Sequence, residues 1–248
     1  MAQTFHDTSR RISEIVRSDY RTADVFRRYN INYCCSGEVS LQDACALKNI
    51  ETNAVVSELH EATRVMVIPN SLRFSEWKTD FLVDYIVNVH HAYILTSMAP
   101  LHASLSSFME SHRKKYPDLE AVYKEFSELV RLLDLHLFDE ESNIFPYIKQ
   151  ISALSKRKEP YVELFLKTLR KSLDYKKRQH GKIADQLFQL QRLTANYTFP
   201  DRACTNYQVI YYKLKEFHND LIQHLYLEND VLYPQAMKIE EELLANIS

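Results

Sequence analysis

The sequence predicts an all-α protein, an antiparallel up-down-up-down four-helix bundle preceded by a small helical N-terminal domain. Three observations carry this. Only Gly37 and Gly181 are glycines in 248 residues, whereas sheet proteins with many tight turns draw on glycine for positive φ. Apolar residues recur at three- and four-residue spacing through most of the chain, the period of a helix with one buried face. From residue 76 onward this pattern falls into four long stretches, separated by polar breaks at SHRKKYPD near 113, SKRKEP near 158 and NYTFPDRA near 200. Long helices joined by short loops pack as antiparallel neighbours.

The N-terminal part, residues 1–66, reads as four short helices within TSRRISEIV, ADVFRRYN, SLQDACAL and ETNAVVSELHEATRV, with Ser40 and Thr52 as caps. Between the second and third lies INYCCSGEV, where Gly37 marks a turn. Residues 67–75, VIPNSLRFS, break the pattern and read as a linker. Residues 76–248 form the bundle, and Pro100, Pro146 and Pro234 are expected to kink three of its helices.

Composition narrows the function classes. A hydrophobic share of 46% fits a globular chain. With 31 basic and 33 acidic residues there is no basic excess to hold nucleic acid. The absence of an 18-residue apolar run and the polar start MAQTFHDTSRR predict no membrane span, no signal peptide and a cytoplasmic location. Cys34 and Cys35 are adjacent, Cys45 sits in a helical pattern and Cys204 is remote, so no disulfide framework is expected.

The histidines supply the chemistry. His91, His136, His180 and His224 are separated by 45, 44 and 44 residues, and the midpoints of these intervals are the three polar breaks. In an antiparallel bundle, residues equally distant from a shared turn stand at one height, so all four helices can place a histidine in the same layer. Two of them add a glutamate four residues on, in HLFDEESNIFP and HLYLENDVLYP, each with proline at the tenth position after the histidine. Residues four apart share a helical face, which places His136 with Glu140 and His224 with Glu228.

Dense apolar flanks turn these pairs inward, where an unpaired carboxylate loses several kcal/mol or more of hydration. Metal cations would neutralise the two carboxylates. Four imidazoles and two shared carboxylates suit two irons better than zinc, magnesium or calcium, with manganese as the lesser choice. One HxxxE alone is more often a surface pair or a satisfied core histidine; its repetition in register decides for a metal site. His90 and His91 are about 100° apart on a helix, and the interval selects His91. His6, His60, His102, His112 and His218 lack the spacing. Asp139 and Glu141 fall on other faces and are expected to be left to solvent.

HHAY at 90–93, HLFDEESNIFP, QHGK around His180 and HLYLENDVLYP resemble the hemerythrin-like di-iron domain. YRTADVFRRYNINYCCSGEVSLQDAC resembles the small domain that precedes it in the iron-sulfur cluster repair di-iron (RIC) family. The resemblance implies two non-haem iron ions per chain, oxo- and carboxylate-bridged, with His91, His136, His180 and His224 as terminal ligands and Glu140 and Glu228 as bridges. It implies a stress-response role, in which iron is supplied to iron-sulfur proteins damaged by nitric oxide or oxidation, with a homodimer as a possible assembly.

Cys34 and Cys35, in a turn with polar neighbours, are assigned a redox or iron-transfer role. Ser36 stands where a second glycine is usual in the family's motif. Two other functions use the same centre. One is an enzyme that reduces nitric oxide or activates oxygen. The other is an oxygen or nitric oxide carrier or sensor, whose site usually carries five histidines where four fall in register here.

Overall fold

The computed structural model describes residues 5, 7–34, 37–64, 72–155 and 169–245. His6, Cys35, Ser36, residues 67–71 of the expected linker and the SKRKEP break beyond Ser155 lie outside the described residues. Among the described residues the chain is helical, and its one pairing of extended backbone is a single bridge between Arg11 and Ser40. No described helix is long and apolar enough to cross a membrane. Two compact units are formed, Met1–Asn70 with Tyr197–Lys215, and Ser71–Asn196 with Glu216–Ser248.

The first unit contains α1 (Ile12–Ser18), α2 (Thr22–Arg28), α3 (Leu41–Leu47) and α4 (Thr52–Ala62). Helices this short are marginal alone. They are held by what they bury: Ile12, Ile15 and Val16, then Val25 and Phe26, Leu41 and Cys45, and Val55 and Leu59 meet Val209 in one core. Ser40 caps α3, its hydroxyl accepting the Asp43 N–H at 3.1 Å. The expected cap at Thr52 is displaced by one residue. Glu51 holds the N-cap position without a side-chain bond, and Thr52 is already helical.

Gly37 is required for a reason other than positive φ, which it does not adopt. A Cβ there would overlap the Tyr33 carbonyl oxygen and stand 2.8 Å from Ser13 Cβ. The Gly37 carbonyl accepts the Ser13 N–H at 2.9 Å, and that of Val39 accepts the Ile12 N–H at 3.1 Å. The turn is thus pressed against the start of α1, and only a residue without a side chain lets it approach.

The second unit is built from longer runs. α5 (Thr79–Tyr85) passes through a π-helical turn (Ile86–His91) into α6 (Ala92–His112). α7 (Leu119–Asp139) passes through a second (Glu140–Ile144) into α8 (Phe145–Leu154). α9 spans Leu169–Leu193. α10 (Thr205–Tyr226), whose residues belong to this unit from Glu216 onward, passes through a third (Leu227–Leu232) into α11 (Tyr233–Ala245). α7 packs on α6 and α9, and α8 on α5 and α11. The buried face of α7, Leu119, Val122, Phe126, Leu129, Leu133 and His136, keeps the three- and four-residue spacing seen in the sequence.

The prolines act through the π turns. Pro146 and Pro234 each follow the end of a π turn by two residues. Proline has no N–H to donate and its ring crowds the carbonyl four residues back, so the turn ahead of it opens. Pro100, by contrast, lies within α6, which continues uninterrupted to His112.

The two glycines make a matched test. Gly37→Ala should destabilise the protein by about 1–3 kcal/mol through overpacking. Gly181→Ala, in a helix with nothing within 4 Å of the added Cβ, should stabilise it by about 0.4–1 kcal/mol. Urea denaturation of the two variants measures both, and equal effects would contradict the close-approach account.

Candidate metal centre

Six side chains from the helical runs of the second unit converge in its interior. His91, His136, His180, His224, Glu140 and Glu228 are all at most 2% exposed. They form two overlapping groups, His91, Glu140, His224 and Glu228, and His136, Glu140, His180 and Glu228, in each of which the donor atoms lie within 4.8 Å of one another. Both carboxylates belong to both groups. The π turns bear on this directly: His91 closes the first, Glu140 opens the second and Glu228 lies in the third. Such turns re-aim side chains and recur at functional sites.

The imidazoles all turn Nε2 inward. His91 and His224 bring these atoms to 3.0 Å of each other, and His136 and His180 to 3.2 Å. Nε2 of His136 is 3.1 Å from Glu140 Oε1, and that of His224 is 3.0 Å from Glu228 Oε1. His180 Nε2 lies 3.4 Å from Glu140 Oε1 and 3.1 Å from Glu228 Oε2. On the outer side, Nδ1 of His91 meets Glu141 Oε1 at 2.8 Å, that of His136 meets Gln179 Oε1 at 3.3 Å, and that of His180 meets Asn229 Oδ1 at 2.8 Å. The Gln179 amide is oriented by its own donation to the Tyr175 hydroxyl at 3.1 Å.

At His91, His136 and His180 these outer acceptors hold the proton on Nδ1, which leaves their Nε2 lone pairs facing inward; His224 Nδ1 is buried without a hydrogen-bond partner. Lone pairs at such distances repel unless a proton or a cation lies between them. Two nitrogens bound at right angles to one ion at ~2.1 Å would be ~3 Å apart, close to both observed separations. Oε2 of Glu140 is buried and accepts no hydrogen bond, and the buried Oε2 of Glu228 has His180 Nε2 3.1 Å away. The donor set is therefore compatible with bound metal in each of the two overlapping groups.

Protonation answers the same need in the bare chain. Burial pushes the His180 imidazole down, but hydrogen bonds and charge from Glu140 and Glu228 outweigh it and hold it at about 10. Burial likewise opposes His91, and Glu228, Glu140 and Glu141 together raise it. At His136 burial prevails over the two carboxylates and the value falls to about 4. Burial would raise Glu228, yet His224, His180 and His91 hold it well below the usual range.

Several neighbours were not legible from the sequence. Lys176 is fully buried, with Nζ 2.8 Å from Asp139 Oδ2 and 3.9 Å from Glu140 Oε1, and it donates to the His136 carbonyl at 3.0 Å. The buried Tyr233 hydroxyl donates to Glu140 Oε1 at 2.8 Å, and its ring stacks on His180. Asp139 and Glu141 do face solvent in part, at 35% and 39% exposed, but each also has a partner the sequence did not show, Lys176 for Asp139 and His91 for Glu141. The open turn beginning at Glu140 changes the face on which residue 141 falls.

His90 is buried beside His91 and directs Nδ1 to Asp220 Oδ1 at 3.0 Å, away from both groups. Among the described histidines outside the site, His60 packs edge-on to Phe5 and His102 lies 2.9 Å from the Ser127 hydroxyl. Cys34 is partly exposed, with its N–H donated to Asn32 Oδ1 at 2.9 Å, while Cys45 is buried. A surface groove lined by Gly181, Ala184, Ile222, Tyr226 and Asn229 reaches His180.

The helical fold and this site define the class of protein: a helical chain with a buried cluster of four histidines and two glutamates in two overlapping groups that could hold metal. Comparison with known proteins is more specific. Residues 8–63 match the family model ScdA_N, described as "Domain of Unknown function (DUF542)". The chain is 26% identical over 229 residues to the iron-sulfur cluster repair protein YtfE of Citrobacter koseri, covering 91% of this chain and 96% of that one. It is 27% identical over 237 residues to the protein of the same name from Edwardsiella ictaluri, covering 94% and 98%. The resemblance to the iron-sulfur cluster repair proteins therefore extends over nearly the whole chain.

The titrating groups predict how the metal-free protein responds to pH. His180 and His91, raised above 6.5, stabilise the fold below pH 6.5 and lose that contribution as pH rises, for His180 toward about 10. His136, depressed to about 4, stabilises above pH 6.5 and loses its contribution as pH falls. Denaturation across pH in the presence of a chelator should therefore show maximal stability near neutrality and a decline on both sides. A stability that rises steadily from pH 6.5 to 10 would contradict the assignment.

Proposed function

We propose that this chain is a di-iron protein that repairs iron-sulfur clusters damaged by nitrosative or oxidative stress, and that it does so by supplying iron. The observation that carries this is the pair of overlapping buried groups that share Glu140 and Glu228. In this reading His91 and His224 hold one iron, His136 and His180 the other, and the two carboxylates bridge them. The bound irons would supply the metal that a damaged cluster has lost. The relatives' name, iron-sulfur cluster repair protein, supports the same role here, with damaged iron-sulfur proteins as partners.

The helical runs of the second unit fit a hemerythrin-like four-helix bundle, and residues 1–66 fit a small N-terminal domain whose compact unit also takes in Tyr197–Lys215. The chain's own residues do the holding. The outer acceptors Glu141, Gln179 and Asn229 fix the tautomers of His91, His136 and His180 so that their Nε2 atoms present a lone pair inward. Tyr233 orients Glu140. The six ligands leave coordination open for an oxo bridge or a small ligand. His90, turned toward Asp220, does not make a fifth histidine of the kind a hemerythrin oxygen carrier uses, which supports donation over carriage. Cys34, partly exposed in its turn, and Cys35 are assigned the thiol role in iron transfer.

Anaerobic reconstitution followed by metal analysis tests the centre. We expect about two irons per chain, and His136→Ala or His224→Ala should lose iron while the chain remains helical. Metal-free protein of full stability would refute the reading. Because ligands must shed protons to bind metal, loading at pH 7 should acidify a weakly buffered solution, and an unchanged pH would argue against His180 as a ligand. Incubating the loaded protein with a partner whose cluster has been degraded by nitric oxide should restore that cluster, whereas Glu140→Ala should not.

A further inference from the structure

The two halves of the centre are unequal, and the difference lies in what stands behind the ligands. Behind the His91 half there is negative charge. His91 Nδ1 meets the Glu141 carboxylate at 2.8 Å. His224 Nδ1 is buried without a hydrogen-bond partner, and Asp220, one helical turn before it, is engaged by His90 at 3.0 Å, so the charge behind this half is that of Glu141. Behind the His136 half the acceptors are neutral amides, Gln179 at 3.3 Å and Asn229 at 2.8 Å. A carboxylate behind a ligating imidazole raises its basicity and strengthens its bond to metal, which an amide does less.

Lys176 adds to the imbalance. Its ammonium is fully buried, 3.9 Å from Glu140 Oε1. That oxygen is the one facing His136 and His180, and it also accepts the Tyr233 hydroxyl at 2.8 Å. The other oxygen, Oε2, lies 3.7 Å from His91 Nε2 and accepts no donor. Asp139, the counter-charge to Lys176, is 35% exposed and Glu141 is 39% exposed, so water screens both carboxylates more than it screens the lysine, and the lysine's pull on Glu140 is the larger part of the imbalance. The carboxylate is thus drawn on from the His136 side and left undiminished on the His91 side.

We propose that the centre is built with one tight and one exchangeable metal position, and that the ion held by His136 and His180 is the one given up. This rests on the di-iron reading above and goes beyond it by assigning the donated ion to one half and naming the residues that make it leave. Lys176, Glu141 and Gln179 are positioning residues, acting on the ions through Glu140, His91 and His136. A surface groove also reaches His180 on this half.

The test is equilibrium competition for ferrous iron between the full chain and a chelator, under anaerobic conditions, with iron counted per chain. Wild type should release its ions in two steps separated by about 10-fold or more in affinity, the usual reach of such outer contacts. Glu141→Gln should weaken the tighter step by about 10-fold and leave the weaker one in place. Gln179→Glu should strengthen the weaker step, and the double variant should bring the two together or reverse them. Lys176→Met should also strengthen the weaker step, and the near-isosteric Glu141 and Gln179 changes carry the test if it does not fold. Two ions leaving in a single step, or a Gln179→Glu variant with an unaltered weaker step, would overturn the inference while leaving the di-iron reading intact. A chain that takes up no iron would overturn both.

Discussion

Two glutamates with no solvent exposure, set among four inward-facing imidazole nitrogens, are the constraint on which the second unit is organised. Carboxylates in such surroundings cannot be left uncompensated. The protein meets this at three levels: three imidazoles, of His91, His136 and His180, whose outer nitrogens are pinned by acceptors, a buried lysine beside one carboxylate, and proton uptake at His180 and His91 when no metal is bound. In the di-iron reading, the cations replace those protons. Packing serves the same end, because the apolar faces of α7 through α11 exclude the water that would otherwise solvate the charges.

The π turns connect backbone to chemistry. Each of the three contains or borders a residue of the site, and two precede a proline that cannot continue an ordinary α-turn. The repeated HxxxE with proline at a fixed offset is therefore one mechanical unit. The histidine and glutamate share a face across an α-turn, the helix then opens, and the proline restarts it. The same opening buries both His90 and His91 and brings Glu141 round to the His91 ring.

This explains what could be read from the residues and what could not. The helical class, the breaks near 113 and 200, and the convergence of the six polar residues were legible because each leaves a periodic mark: apolar spacing, proline and charge between stretches, and intervals of 44 or 45 residues. The partners of Glu141 and Asp139 were not legible because His91 and Lys176 lie on other helices, and for Glu141 also because a 3.6-residue period fails where the helix widens after Asp139. Lys176 was missed since lysine in a helical pattern reads as solvated, and its partners Asp139 and the His136 carbonyl lie on another helix. Tyr233 looked like packing, and only the fold reveals its hydroxyl against Glu140. Gly37 was read as a turn former, whereas the contact with Tyr33 and Ser13 is what demands it.

The measurement that tests the account most directly is an anomalous difference map at the iron edge from crystals of the reconstituted chain. The account predicts two peaks about 3.5–4 Å apart, one between His91 and His224 and one between His136 and His180, with Glu140 and Glu228 spanning both. Iron located elsewhere, or a single ion with Lys176 compensating the remaining carboxylate, would contradict it.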